Sequence, residues 1–193
     1  MEFLRKHRGW VFAIILLGGL MAIFDRWRTY RENSQDTNIL AAARQYGVAP
    51  ALIKAVVWRE SGFNPGARGK AGEIGLMQLT EVAAQEWADE EHVHPYRHAH
   101  LFDPGKNALA GTWYLRKMLR RYGHTDNPAA YALSDYNAGR GNVLRWNKGL
   151  ASTNSAEFLK QMDFPGTREY VRSILKRQAR YERVFARKNK TPV

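Results

Sequence analysis

The chain has 193 residues, a net charge of +12 and no cysteine. This length supports one domain with a useful core plus an extension, and the lack of cysteine excludes disulfides, thiolate metal sites and a lipid-modified cysteine anchor. The positive charge favours anionic partners, but no nucleic-acid-binding motif accompanies it, so we expect no nucleic-acid partner.

An uncharged apolar run near the N-terminus, residues 9–24, is flanked by basic residues on both sides. A helix of this length extends about 24 Å, which is less than the roughly 30 Å hydrocarbon core of a bilayer. No small-residue cleavage motif follows the run, and Trp10 and Trp27 bracket it as interfacial aromatic residues do. We therefore interpret residues 1–28 as a membrane anchor, with a cleaved signal segment as the alternative, and the polar residues 29–36 as a linker.

The rest of the chain is predicted to be helical, because apolar residues recur at helical spacing and proline and glycine residues mark the helix ends. No alternating pattern of convincing strand length appears, so any sheet is expected to be small and to lie in the loop near 66–75. The fold class predicted is therefore mainly α. The predicted helices cover residues 38–46, 50–61, 80–89, 104–122, 128–138, 142–148 and 167–187. Thr80, Asp103 and Asn127 are predicted to cap helix N-termini, and Gly62 is predicted to end the helix 50–61.

Glu60 lies on the last turn of the predicted helix 50–61. Ile53, Val56 and Val57 precede it at helical spacing and share its face. An acidic side chain on an apolar face is desolvated, which favours its neutral form and raises its pKa. Such a group can donate a proton near neutral pH. The alternative is a solvated glutamate at a helix end.

A glycine-rich segment, 62–75, follows this helix and contains too many glycines for a stable helix or a central strand. Phe63, Ile74, Leu76 and Met77 are apolar, which argues against a loop that is loose in water. A packed, glycine-rich loop beside a candidate acid is typical of a cleft wall. It is not a phosphate-binding loop, because no Gly-Lys-Ser/Thr sequence closes it.

Four histidines, His92, His94, His98 and His100, lie close together in the next stretch. They do not form a His-Glu-x-x-His helix or another convincing zinc pattern. We interpret the stretch as a polar surface loop, and we expect neither a metal site nor a cofactor.

Several segments in order resemble the signatures of the soluble-lytic-transglycosylase (SLT) domain family. They are Glu60-Ser61, Phe63-Asn64-Pro65, Gly75-Leu76-Met77-Gln78 and Tyr136-Asn137-Ala138-Gly139, and the resemblance continues into Thr167-Arg168-Glu169-Tyr170-Val171. The family is similar in fold to goose-type lysozyme. The resemblance thus implies a lysozyme-like helical catalytic domain, to which we assign residues 37–188. The membrane-anchor helix precedes it, and residues 189–193 are interpreted as a tail.

The resemblance implies a peptidoglycan lytic transglycosylase. These enzymes cleave the β-1,4 bond between N-acetylmuramic acid (MurNAc) and N-acetylglucosamine (GlcNAc) without water, because the muramoyl C6 hydroxyl attacks C1 and leaves a 1,6-anhydro sugar. One glutamate, here Glu60, acts first as acid and then as base. A tethered hydroxyl has a high effective concentration, so no second carboxylate is required.

Two alternative functions stay open at this point. In the first, Glu73 or Asp135 positions a water molecule and the protein is a muramidase of the lysozyme type. In the second, the protein is a weakly active wall-binding or secretion-apparatus component.

The resemblance also implies substrate-binding residues, namely Ser61, Met77, Gln78, Tyr136 and Asn137. The Gln78 amide offers both donors and an acceptor to a sugar. Tyr136 is expected to bond Glu60 or to lie beside it. Packing is the alternative for Met77, and a bond to the local backbone is the alternative for Ser61.

The chain departs from the family pattern at positions that usually contact sugar or support the acid. Many members carry serine in place of Gly69, methionine-proline in place of Thr80-Glu81, alanine in place of Asp135 and glutamate in place of Gly166.

The expected partners are peptidoglycan glycan strands and, through the N-terminal helix, the membrane. We expect a monomer in the cell envelope, anchored in the inner membrane, with its catalytic domain in the periplasm or otherwise outside the cytoplasm.

Overall fold

The computed structural model describes residues 8–188, which divide into two compact units between Gln35 and Asp36. The first unit is a single helix, α1, Arg8–Asn33. The second unit contains two short 3₁₀ helices, His98–Phe102 and Gly149–Ser152, and the α-helices α2 Asp36–Tyr46, α3 Pro50–Ser61, α4 Glu81–Glu90, α5 Pro104–Arg121, α6 Pro128–Ala138, α7 Arg140–Trp146, α8 Ser155–Gln161 and α9 Pro165–Lys188. The mainly α fold class is thereby confirmed.

Helix α1 exposes its apolar side chains, with Trp10 at 73% and Phe12 at 75% exposure. By length and composition alone it is long and apolar enough to cross a membrane. The segment 29–36, interpreted from sequence as a polar linker, is helical up to Asn33, whose side chain donates to the Thr29 carbonyl at 3.0 Å. The polar residues 29–33 therefore continue helix α1 and do not form a loop. The predictions for residues 1–7 and for the tail 189–193 fall outside the described residues.

The core of the second unit forms around helix α3, which packs against α2 and α9. Ile53, Val56 and Val57 are completely buried, as their spacing predicted. Helix α6 lies against both α5 and α9. These contacts bring the last turns of α3 and α6 and the first turns of α9 into one region.

Helix ends follow the capping signals at three predicted positions. The side chains of Thr80 and Asp103 accept bonds from the backbone N–H groups of Ala83 and Lys106 and cap α4 and α5. Gly62 ends α3 in the left-handed conformation.

Two helix starts differ from the sequence prediction. The Asn127 side chain makes no capping hydrogen bond, so α6 begins at its proline without this cap. Helix α8 was not predicted, although the Asn154 side chain accepts from two of its backbone N–H groups.

The glycine-rich segment packs onto the core, as expected, because Phe63, Ile74 and Leu76 are buried. Isolated bridges join Ile74 to Arg68 and to Leu79, and no named strand forms within residues 8–188. The loop therefore has a fixed shape.

Candidate active site

A cleft of about 240 Å³ lies where the last turns of α3 and α6 meet the glycine-rich loop. It is lined by Glu60, Gly69, Lys70, Glu73, Gln78, Thr80, Tyr136 and Asn137. The residues come from the end of α3, the glycine-rich loop with the residues that follow it, and the end of α6, and four of the six predicted site residues are among them. The cleft is predominantly polar, which suits a hydroxyl-rich ligand.

The Glu60 carboxyl group is held by α9, since the Tyr170 hydroxyl donates a hydrogen bond to Glu60 Oε1. The pKa of Glu60 is raised to about 7, mainly by burial and to a smaller extent by the negative charge of Glu73. The Tyr170 bond and the Arg59 charge act in the opposite direction. The carboxyl group is therefore protonated in a large share of molecules near neutral pH, which a proton donor requires.

Tyr136 lies beside Glu60, whose charge adds to the effect of burial in raising the Tyr136 pKa well above its ordinary value. Its hydroxyl donates to the Met77 carbonyl at 2.7 Å. The hydroxyl that bonds Glu60 is thus that of Tyr170, which lies in the last segment of the family resemblance but was given no role in the site. Tyr170 is 110 positions from Glu60 and is buried, so its spacing alone could not reveal this contact.

A buried amide fixes the loop that carries Gln78. Asn107 on α5 donates to the carbonyls of Ile74 and Leu101, both at 2.9 Å, and accepts from the Met77 N–H at 2.8 Å. A Cβ atom on Gly75 would lie 2.0 Å from Asn107 Nδ2, so glycine is needed at that position for close approach. Sequence reasoning did not single out Asn107.

Gln78 and Asn137 line the cleft, and each side-chain amide makes one hydrogen bond within the protein. Gln78 adopts a positive φ of 49°, and its amide donates to the Gly75 carbonyl at 2.9 Å. Asn137 Oδ1 accepts from the Thr167 hydroxyl at 2.8 Å. Both amides are therefore held in place before any ligand arrives.

Ser61 and Met77 have local structural contacts instead. The Ser61 hydroxyl donates to the Val57 carbonyl at 3.2 Å. Met77 is completely buried, and a Cβ atom on Gly111 would lie 2.4 Å from its sulfur. The packing and helix-end alternatives weighed for these residues match their surroundings.

Asp135 is directed into the protein. Its Oδ2 accepts from Arg121 Nη1 at 2.5 Å and from the Tyr122 hydroxyl at 2.8 Å, and it is only 4% exposed. Of the two acids considered for positioning water, Glu73 lines the cleft and Asp135 has a structural ion pair.

In the stretch with four histidines, a ring nitrogen of His98 lies 3.0 Å from the Leu79 carbonyl oxygen. Among the residues that the structure describes, no group of three or more His, Cys, Asp or Glu side chains could hold a metal ion.

Comparison with known proteins identifies the domain. The sequence model of the Transglycosylase SLT domain family matches residues 37–159. An inactive mutant of the lytic transglycosylase Slt from Pseudomonas aeruginosa is similar in structure, with 25% identity and a TM-score of 0.71, over 78% of this chain and 24% of that chain. The 70 kDa soluble lytic transglycosylase from Escherichia coli matches with 27% identity and a TM-score of 0.64, over 72% and 22%.

A complex of the 70-kDa soluble lytic transglycosylase with bulgecin A matches with 23% identity and a TM-score of 0.71, over 85% of this chain and 26% of that chain, and at this identity it shows the fold alone. The chain thus spans about a quarter of the length of these structures. The lysozyme-like helical fold is confirmed. Since the family match covers well over half of its residues, this chain belongs to the Transglycosylase SLT domain family.

Proposed function

We propose that this protein is a peptidoglycan lytic transglycosylase that cleaves the β-1,4 bond between MurNAc and GlcNAc without water and leaves 1,6-anhydroMurNAc ends. The observation that carries the proposal is the Glu60 carboxyl group, which lines a polar cleft, has a pKa raised to about 7 and accepts a bond from Tyr170. Membership of the SLT family supports it.

Glu60 acts twice in the proposed reaction. As an acid it gives its proton to the glycosidic oxygen, so that GlcNAc leaves while positive charge develops at the muramoyl C1. As a base the resulting carboxylate takes the proton of the C6 hydroxyl, whose oxygen then bonds C1. The nucleophile is tethered to the sugar, so its high effective concentration replaces an activated water. Glu60 ends the cycle protonated.

Gln78, Tyr136 and Asn137 line the cleft and are the residues we propose to bind the sugar. Gln78 and Asn137 offer amide groups to acetamido and hydroxyl groups. We propose that Met77 acts through its carbonyl, which holds Tyr136, and that Ser61 keeps the end of α3 in shape.

We predict that Tyr170→Phe moves the alkaline limb of the pH–activity profile to higher pH. The Tyr170 hydroxyl lowers the pKa of Glu60, so its loss lets burial raise that pKa above about 7 and keeps the acid form to higher pH. The rate should fall by about 10- to 100-fold because the carboxyl group loses its orientation. Activity on purified sacculi across pH provides the measurement.

Tyr131→Phe is the matched control for this experiment. The buried Tyr131 hydroxyl donates a hydrogen bond to the Ala151 carbonyl at 2.7 Å, and the substitution removes this bond. Tyr131 does not line the cleft. Its pH profile should match wild type. An unshifted limb in Tyr170→Phe would contradict the role given to this tyrosine.

We propose that α1 anchors the protein in the inner membrane, with the catalytic domain in the periplasm or otherwise outside the cytoplasm, as a monomer. The exposed apolar side chains of α1 support the anchor, and the substrate class supports the side of the membrane. The basic surface favours the anionic polymers of the envelope.

The anchor is tested by an Ile15→Arg, Leu16→Arg double variant of the full chain. Charge at the centre of a spanning helix is costly, so the variant should move from the carbonate-washed membrane fraction to the soluble fraction. Val82→Arg, an exposed apolar residue on α4, should stay with the membrane. Wild-type protein in the soluble fraction would refute the anchor.

A further inference from the structure

The cleft contains a second carboxylate, that of Glu73. The side chain is half-buried, and its Oε2 accepts a hydrogen bond from the Ala71 N–H at 3.0 Å. The Glu73 carbonyl accepts from the Gly69 N–H at 2.7 Å, which closes the loop beneath it. The carboxylate is thus held in the cleft by its own loop.

Gly69 provides the space for this carboxylate. A Cβ atom at position 69 would lie 2.1 Å from Glu73 Oε2 and 3.1 Å from Gln78 Oε1. The backbone of Gly69 is not in the left-handed region, and its nearest neighbour is the end of a flexible side chain, so a side chain at position 69 would displace the Glu73 carboxylate. The Glu73 carboxylate therefore occupies the place that a side chain at position 69 would take in the cleft.

Glu73 and Glu60 also interact electrostatically. Both side chains line the same cleft, and the Glu73 charge raises the pKa of Glu60. The other groups that act on Glu60 are the Arg59 guanidinium and the Tyr170 hydroxyl, and Tyr136 lies beside it. Two carboxyl groups in one cleft, one that donates a proton and one that acts as a base, are the pair that most glycoside hydrolases use.

We propose that Glu73 gives this cleft a second activity, hydrolysis of the same glycosidic bond, by acting as general base toward a water molecule. The proposal rests on the proposed function of Glu60. In this branch Glu60 protonates the leaving GlcNAc oxygen as its bond to the muramoyl C1 breaks. The water oxygen bonds C1 and its proton passes to Glu73. The product is a MurNAc reducing end, one water heavier than the anhydro product.

The test measures the ratio of the two products formed by the full chain. Sacculi are first treated with borohydride to remove existing reducing ends, then digested in heavy-oxygen water and analysed by mass spectrometry. Wild type should give both the anhydro end and a reducing end that carries one heavy oxygen. Glu73→Gln should lower the reducing-end product on the order of 100-fold. Anhydro product should still form at acidic pH, where Glu60 keeps its proton without the Glu73 charge.

Two further variants separate catalysis from structure. Gly69→Ser keeps Glu73 but displaces its carboxylate, so it should also lower the hydrolytic share. Glu90→Gln removes an exposed acid on α4 and should leave the ratio at its wild-type value.

Glu73→Gln should also shift the alkaline limb of anhydro formation to lower pH, because it removes a charge that raises the pKa of Glu60.

Wild type that forms only the anhydro product would overturn the inference and leave the proposed function intact. An unchanged product ratio in Glu73→Gln, or an equal loss of both products, would also overturn it, because Glu73 would then only shape the cleft. Wild type that forms only the reducing end would instead overturn the proposed function.

Discussion

Glu60→Gln is expected to lower the release of muropeptides from purified sacculi on the order of 1,000-fold or more. The amide cannot give a proton to the leaving oxygen or take one from the C6 hydroxyl, so both proposed steps fail. Its size is unchanged, and its oxygen can still accept the Tyr170 bond. The measurement is the initial rate of soluble product formation by the full chain.

The control for this loss is the stability of the variant. The folded pKa of Glu60, about 7, lies above its ordinary value of 4.5, so wild type loses stability as pH rises between these values. Gln does not ionise, and Glu60→Gln should therefore unfold at the same or a higher temperature than wild type near pH 8. A stable variant that retains more than about one tenth of wild-type activity would contradict the acid–base role.

Asp135→Ala is expected to destabilise the protein by about 3 kcal/mol, the lower end of the range for breaking a buried pair. The lower end applies because the Arg121 side chain is 27% exposed, so water can solvate its guanidinium group in the variant. The Tyr122 hydroxyl is buried and also loses its acceptor. In a chain of this size the loss corresponds to a decrease in melting temperature of roughly 6 to 12 °C.

Lys160→Ala is the control, because Lys160 pairs with Glu157 at 2.7 Å on the surface. Its melting temperature should stay close to that of wild type, since exposed ion pairs contribute little. Equal melting temperatures for Asp135→Ala and wild type would show that the buried pair does not support the end of α6.

Local signals predicted much of the fold. The caps at Thr80 and Asp103 and the glycine stop at Gly62 act within a few residues, so they can be read from the sequence. The buried face of α3 follows from spacing alone. The short helix α8 was missed because its few residues show little periodicity.

The site was only partly predictable. The resemblance to the family indicated Glu60, Gln78, Tyr136 and Asn137, which line one cleft. It could not indicate which tyrosine bonds Glu60, because that depends on how two helices distant in sequence pack together. Tyr170 has the spacing of an ordinary core residue, and its hydroxyl gains a partner only when α9 meets α3.

Asn107 was not predicted, and Gly69 was noted only as a departure from the family pattern. Asn107 bonds groups up to 33 positions away, and a buried amide on an amphipathic helix has no local signature. The glycine at position 69 leaves room for the Glu73 carboxylate, and this contact is visible only in the folded loop. Both effects depend on close approach between atoms, which sequence spacing does not specify.

The central claim is that the Glu60 carboxyl group transfers protons so that the sugar's own C6 hydroxyl closes the ring. Mass spectrometry of the fragments that wild type and Glu60→Gln release from purified sacculi tests it most directly. We expect wild type to release fragments ending in 1,6-anhydroMurNAc and Glu60→Gln to release almost none. Fragments that end only in reducing MurNAc, or equal release by both proteins, would contradict the claim.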